Sequence, residues 1–444
     1  MTLSKFVFIC CASFFSGVFA GSIIGLSAAV ICGFFISSLI LISILWDYKR
    51  IVFIGVVVLF FSLGLSRYYL SSFNLPLSGE ISITGKISSE PEELERAERF
   101  KVGKFLIITD KYSGFQYGDK VSAKGSLENG FVLFFPEVEK IGEFEGGIYA
   151  GILKLKEKMR EAIDKNFPSP QNMILGAMVL GDKHRMSSEL KEKLNISGLR
   201  HITAISGLHI SLIGSLLMLF FFSVGIGKSL SFYFSLSFLL LFIVIIGFPA
   251  SAVRAGIMGG IYMLSQKTGR MNSGARTLFL AGAIMLLVNP LLVHDYGFKL
   301  SFLAVFGIIN FSPVLRQKIP LNFLKQEELK EALFIALSAY LFTFPFLLYS
   351  FNQVSLVSVV SNILAVPFVY LIILFGILFL FFVLVFPLAS FLFLIPLWVF
   401  LSVFAFIIEI FSRFPYLEIS GMNILFLIAA YSLFSYFILK CNNE

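Results

Sequence analysis

The longest stretches without a charged residue constrain this chain more than any other feature. The 77 residues between Glu331 and Glu409 contain no Asp, Glu, Lys or Arg, and the 41 residues between Lys5 and Asp47 contain none either. A helix that crosses a membrane needs only about 20 apolar residues. The first stretch therefore has room for three or four spans and the second for two. Because 57% of the chain is hydrophobic and only 14% is charged, the sequence predicts a polytopic α-helical membrane protein.

Twelve apolar segments predict about 10 to 12 membrane spans. The segment 355–385 is too long for one straight span and contains Asn362 and Pro367. We therefore expect a half-helix or a re-entrant turn before a full helix in that segment. The twelve segments are 6–20, 23–45, 51–66, 203–223, 230–248, 251–266, 277–293, 298–314, 332–350, 355–385, 388–412 and 422–439.

Lys and Arg residues in the short loops predict the orientation of the chain. They fall in alternate loops, which is the parity expected if those loops are cytoplasmic. The N-terminus is then cytoplasmic, and the region from about 70 to 200 lies on the outer side. The loop residues are Lys49 and Arg50, Lys228, Lys267 with Arg270 and Arg276, and Arg316 with Lys318.

Residues 71–150 are predicted to form one extracytoplasmic domain. Runs such as EISITGKI and DKVSAKGSL, separated by turns that include Glu128-Asn129-Gly130, predict about five short strands. Such strands fit a small closed β-barrel of OB type. OB domains bind single strands in a basic groove, yet this region has nine Lys and Arg residues against thirteen Asp and Glu residues. A scaffolding or partner-binding role and direct strand binding both stay open.

The segment 151–197 is predicted to begin with an amphipathic helix. In GILKLKEKMREAIDKNF, apolar residues such as Ile152 and Met159 line one face, while Lys154 and Lys158 line another. This helix either lies on the surface of the lipid membrane or packs on the barrel as a linker. Residues 151–200 contain ten basic and six acidic residues, so this outer surface is the one suited to a polyanion.

The stretch GLRHITAISGLHISLIG at 198–214 raises the possibility of catalysis, because Ser206 and His209 are one helical turn apart. A serine and a histidine are the minimum for a serine hydrolase, but one turn presents the base poorly to the hydroxyl, and no oxyanion pocket is evident. Zinc would need more ligands than His201 and His209. We therefore expect no catalytic residue, metal or cofactor, and an intramembrane hydrolase stays open as an alternative.

Small and ionisable residues in the same region favour helix packing around a polar path. Gly207, Ser211 and Ser215 form a small-residue face on which helices approach closely in lipid. Packing alone does not require the two histidines or Arg254, because ionisable groups inside spans are costly and usually face a cavity or a partner. Arg254 either pairs with Asp295 or lies with it in a polar vestibule for a substrate.

Four stretches resemble, in order, the main motifs of the competence-domain (ComEC) family. They are GAMVLGDKHRMSSELKEKLNISGLRHITAISGLHISLIG at 176–214, FPASAVRAGIMG at 248–259, NPLLVHDYGFKLSFLAVFGI at 289–308 and VSNILAVPF at 360–368. The first 145 residues also look like the N-terminal part of that family. The positions that match family motifs are Gly181, Asp182, Gly198, His201, Ser206, Gly207, His209, Arg254, Asp295, Ser301, Asn362 and Pro367.

The resemblance implies a channel of the bacterial inner membrane that passes single-stranded DNA into the cytoplasm during natural transformation. Together, the residues and the resemblance predict three spans in 1–70, the OB-like domain in 71–150, an interfacial helical segment in 151–197 and a channel domain in 198–440. Many long members also carry a metallo-β-lactamase-like nuclease domain, whereas only KCNNE follows Leu439 here.

We therefore expect the partners to include a separate nuclease, a DNA receptor and a cytoplasmic helicase or motor, in an assembly whose oligomeric state stays open. No GxxxxGK[ST] motif for nucleotide binding is present, so the chain is expected to be a transport protein and not an enzyme. A transporter of a smaller solute is the other alternative.

Overall fold

The computed structural model describes residues 3–44, 48–72, 80–88, 91–93, 97–103, 105–110, 114–115, 118–128, 132–142, 148–268, 273–319, 326–419 and 421–443. The helices in these ranges are α1 (Leu3–Ile24), α2 (Ala28–Ile44), α3 (Lys49–Ser72), α4 (Ile148–Asn166), α5 (Gln171–Leu175), α6 (Ser188–Ile196), α7 (Arg200–Thr203), α8 (Gly207–Ser223), α9 (Lys228–Ile245), α10 (Ala250–Thr268), α11 (Gly274–Val288), α12 (Tyr296–Lys318), α13 (Glu327–Phe351), α14 (Ser358–Val385), α15 (Phe391–Phe411) and α16 (Ile424–Asn443). The strands are β1 (Glu80–Lys86), β2 (Glu92–Glu93), β3 (Ala97–Val102), β4 (Phe105–Asp110), β5 (Lys120–Glu128), β6 (Val132–Phe134), β7 (Glu137–Gly142), β8 (Gln353–Ser355) and β9 (Tyr416–Glu418).

All twelve segments predicted as spans contain a helix. Within the described residues, seven helices are long and apolar enough to cross a membrane: α1, α3, α9, α12, α13, α14 and α15. The helices α2, α8 and α11 are apolar but shorter, as is the apolar part of α16, Ile424–Ile438, and α10 carries Arg254 and Lys267. The chain is therefore a mostly helical, polytopic membrane protein, and its crossings beyond these seven stay predictions.

The break predicted within 355–385 is wrong. Helix α14 continues for 28 residues with Pro367 inside it, about 42 Å at 1.5 Å per residue. A proline removes one backbone hydrogen bond, and the helices around α14 support the rest. The chain reverses before the helix instead. Asn352 ends α13 with a φ of 56°, and β8 then pairs antiparallel with β9.

The segment 80–142 forms a small strand-containing region. Its strand order is β1-β5-β6-β4-β3-β2, and β7 also pairs with β5. The pair β4 and β6 is parallel, while β1–β5 and β3–β4 are antiparallel. Ile87, just after β1, forms an isolated antiparallel bridge with Val102 of β3, and both side chains are buried with Phe100 and Ile107. Asn129 and Gly130 of the predicted turn lie outside the described residues.

Helix α4 packs on the later spans. Ile163 of α4 is 1% exposed and belongs to the largest core cluster, and the ring of Phe167, just beyond α4, lies 5.3 Å from the ring of Phe379 in α14. A π-helical turn, Gly176–Leu180, continues α5 and is buried throughout. The apolar face of α4, predicted to meet lipid or the barrel, is therefore partly covered by the later spans, α14 among them.

Candidate functional site

Several helix ends meet on the side of the molecule that carries the strand region. Arg67, near the end of α3, donates hydrogen bonds of 2.8 and 2.9 Å to the last carbonyl groups of α11. Tyr68 Oη lies 2.9 Å from His294 Nε2. Ser251, at the start of α10, donates a 2.6 Å hydrogen bond to the carbonyl group of Ile205, just before α8. Most of the predicted site residues lie at or near helix ends.

His201 and Asn362, which belong to different motifs, form one junction. The Asn362 side chain interacts with the His201 imidazole, and Asn362 Nδ2 donates a 2.6 Å hydrogen bond to the carbonyl oxygen of Ser358. Ser361 Oγ donates 2.6 Å to the carbonyl oxygen of Ser197. The histidine side chain is exposed and Asn362 is half-buried. The first turn of α14 therefore holds the segment that leads into α7.

Gly198 allows this close approach. Its φ of 74° is a left-handed conformation that favours glycine. A Cβ atom at this position would lie 2.5 Å from Ser358 Cβ. No other residue type fits without displacing α14, so the glycine sets the contact between the two motifs.

Ser206 and His209 form the start of α8. Nδ1 of His209 accepts a 3.3 Å hydrogen bond from the Ser206 backbone N–H and lies 3.0 Å from Ser206 Oγ. The two side chains therefore come within hydrogen-bond distance, as their one-turn spacing predicts. The histidine takes the place of the acidic residue of a capping box. Within the described ranges no carboxylate orients its ring, and Nε2 is buried without a hydrogen-bond partner, so the geometry is that of a helix cap.

Arg254 links three helices. Its side chain is 6% exposed, and Nη1 donates to both the carbonyl oxygen and the hydroxyl group of Ser301 on α12. The guanidinium carbon lies 5.9 Å from the centre of the Phe302 ring. Nη2 lies 3.1 Å from the point that a Cβ atom on Gly207 would occupy. Arg254, Ser301 and Gly207 thus meet beside the Ser206–His209 cap.

The ion pair considered between Arg254 and Asp295 does not form. Asp295 is exposed and caps α12, where its Oδ1 accepts a 2.6 Å hydrogen bond from the Phe298 N–H. A carboxylate directly before a helix is well placed to bind that helix's free N–H groups. Among the residues that the structure describes, no carboxylate pairs with Arg254.

Asp182 lies in a separate cluster. It is 2% exposed and contacts Lys156 Nζ at 3.1 Å and Arg160 Nε at 2.8 Å. Burial alone raises the pKa of the Asp182 carboxyl. The hydrogen bond from Arg160 and the charges of Lys156 and Arg160 outweigh burial, so the pKa lies below its usual 3.8. Asp182 therefore attaches α4 to the Gly181-Asp182 turn.

Three of the predicted site residues, Asp182, Asp295 and Pro367, lie outside the polar junctions, and several contributors were missed. Pro367 lies on the exposed side of α14, away from the polar groups, just as Asp182 lies with α4. Ser251 and Ser361 were not anticipated because serines inside spans usually bond their own helix. The i,i+3 spacing of Ser358 and Ser361 in SVVSN is the sequence feature that could have indicated a polar contact at the start of α14.

The region that contains the polar junctions is similar to known proteins. A family model described as Competence protein matches residues 178–443, which include the polar junctions. ComE operon protein 3 of Bacillus subtilis (strain 168) is 29% identical over 217 residues, or 49% of this chain and 27% of that protein. The match thus spans about a quarter of the relative's length. No solved structure matches the chain significantly.

Proposed function

We propose that this chain, which belongs to the Competence protein family, is a membrane channel that passes single-stranded DNA into the cytoplasm during natural transformation. The convergence of polar groups from separate motifs carries the proposal: His201 meets Asn362, and Arg254 meets Ser301 beside the start of α8. A charged phosphate in hydrocarbon costs several kcal/mol or more. A strand therefore needs a polar, partly cationic path of this kind.

The strand region and the polar junctions face the outside in this proposal. Arg67 ties the end of α3, which precedes the strand region, to the end of α11. The opposite ends of the helices, away from the strand region and the polar junctions, carry basic residues. These residues are Lys49 of α3, Lys228 of α9, Arg276 of α11 and Arg316 of α12. Positive residues favour the cytoplasmic side. The N-terminus is then cytoplasmic, in the plasma membrane of a bacterium.

The strand region is an OB-type barrel in this proposal. Support comes from the order β1-β5-β6-β4-β3 and from the Ile87–Val102 bridge, which brings β3 back to the end of β1. Its acidic balance favours a scaffold or a partner-binding surface over a strand groove. The exposed lysines of α4, among them Lys154, Lys158 and Lys165, are better suited to receive the strand. A separate receptor, nuclease and cytoplasmic motor complete the pathway.

A serine hydrolase is the second candidate, and only the 3.0 Å contact between Ser206 Oγ and His209 Nδ1 favours it. A base in a hydrolase is oriented by a third group on its other ring nitrogen. Here Nδ1 of His209, the atom that would take the proton from Ser206, also accepts a hydrogen bond from the Ser206 backbone N–H. We therefore propose a transport role, and no enzymatic step, for this site.

Deletion of the whole chain in its host tests the proposal. Import of a labelled strand into the cytoplasm should stop, while double-stranded DNA still binds at the cell surface. Expression of the intact chain from a second locus should restore import. Unchanged import after deletion would refute the channel, and loss of surface binding as well would assign the chain to an earlier receptor step.

A further inference from the structure

Two positive groups face each other at the start of α8. The first N–H groups of a helix have no partner within it, and together they act as about half a positive charge. Helix α8 has 17 residues and begins at Gly207. The guanidinium of Arg254 points to the same place, because its Nη2 lies 3.1 Å from the position of a Cβ atom on Gly207.

Nothing negative in the described part of the chain balances these groups. Of the guanidinium nitrogens of Arg254, Nη1 is the one that donates to Ser301. Nε of the same guanidinium is buried without a hydrogen-bond partner. Asp295 is engaged as the cap of α12. Nε2 of His209 is also buried without a partner, so two buried donor positions lie unused beside the start of α8. A cation next to a helix N-terminus is unfavourable unless an anion offsets both.

We propose that Arg254 and the N-terminal N–H groups of α8 form an anion site for one phosphodiester group of the strand in transit. This inference rests on the proposed function and assigns the contact that it requires. A guanidinium presents a planar fork of donors that matches phosphate, and helix N-termini bind phosphate through their free N–H groups. Ser206 and Gly207 are only half-buried and His201 is exposed, which gives a strand access from the outer side.

Gly207 has a defined part in this site. A methyl group there would touch Nη2 of Arg254 at 3.1 Å, tighter than an ordinary van der Waals contact. Gly207→Ala should therefore displace the guanidinium without removing its charge. Loss of charge and loss of position can then be measured separately.

The test uses the purified full chain in nanodiscs of uncharged lipid and a fluorescent single strand of about twelve nucleotides, within the usual size of a strand-binding site. Affinity is measured against salt concentration, and a strand with uncharged methylphosphonate linkages is the ligand control. Arg254→Gln should weaken binding about tenfold or more and reduce the slope of log affinity against log salt by about 0.7.

Three further variants separate charge from position. Arg254→Lys and Gly207→Ala should also weaken binding but keep the slope, because each retains the charge. Arg316→Gln removes an exposed arginine at the opposite end of α12 and should change neither quantity. Equal affinity and slope for Arg254→Gln and Arg316→Gln would overturn the site.

If Arg254→Gln does not fold, a thermal-shift measurement on the intact chain still tests the anion site. Inorganic phosphate should raise its thermal midpoint, and Arg254→Lys should reduce that rise. Absence of any rise would overturn the proposal. Competition then identifies the natural ligand of the site. If phosphatidylglycerol in the nanodisc displaces phosphate and the single strand does not, the site binds a lipid headgroup and the proposed contact with DNA is refuted. If deletion leaves DNA import unchanged but phosphate still binds at Arg254, the proposed function fails and the anion site stands.

Discussion

Replacement of Gly198 by alanine tests the junction between the 197–201 segment and α14. The φ of 74° costs an alanine about 1–2 kcal/mol. The added Cβ would meet Ser358 Cβ at 2.5 Å, Oγ at 2.6 Å and Cα at 2.8 Å, and crowding of this kind costs about 1–3 kcal/mol more. We therefore expect Gly198→Ala to lower the free energy of unfolding by about 2–5 kcal/mol.

Gly225 provides the matched control. Its φ is 87°, and no atom lies within 4 Å of a Cβ placed there. Gly225→Ala should therefore cost only the backbone part, about 1–2 kcal/mol. The assay is the thermal midpoint of the purified protein, measured with labelled-DNA import by cells that carry each variant.

The two glycine variants should differ in import as well as in stability. Gly198→Ala should lose import because His201 no longer reaches Asn362, and Gly225→Ala should keep it. Ser358→Gly, added to Gly198→Ala, should recover part of the stability because it removes two of the three close atoms. Equal midpoints for the two alanine variants would refute the argument from the Ser358 contact.

Three further changes test other parts of the account. Ser206→Ala should leave DNA import largely intact, whereas a hydrolase would lose essentially all activity. Arg254→Gln should reduce import more than Arg254→Lys, and equal defects would show that charge is not what matters. Asp182→Asn removes the carboxylate that pairs with the buried Lys156 and the half-buried Arg160, which should cost about 3–5 kcal/mol at neutral pH. Because the folded pKa of Asp182 lies below its usual 3.8, its stabilisation is present above that pH and is lost as pH falls further. The thermal midpoints of the intact chain and Asp182→Asn should therefore converge below about pH 4, and a constant difference would contradict this.

The helices could be predicted from the sequence because a membrane span is specified by the length of its apolar run. All twelve segments contain a helix, and the alternating runs around 80–141 form strands as expected. The error at 355–385 arose because Asn362 and Pro367 indicate a break only where no neighbouring helix supports the backbone. The real reversal is at Asn352, whose positive φ no periodicity reveals.

The contacts of the site residues were harder to predict from the sequence than the helices. The contact of Ser206 with His209 follows from helical spacing, but the contact of His201 with Asn362 joins two distant motifs and requires the fold. Asp295 was a reasonable partner for Arg254 by charge. A carboxylate directly before a helix is also a cap, and the cap is what forms. The amphipathic pattern of α4 showed that one face would be covered, but not by which helix.

Site-specific photo-crosslinking during DNA import tests the channel most directly. A crosslinking residue at position 200, where the native arginine is exposed beside His201, is compared with one at Leu388, which is 93% exposed between α14 and α15. We predict that labelled single-stranded DNA is captured at position 200 and not at Leu388. Cells that import DNA normally but yield no crosslink at position 200, or equal crosslinks at both positions, would contradict the proposed channel.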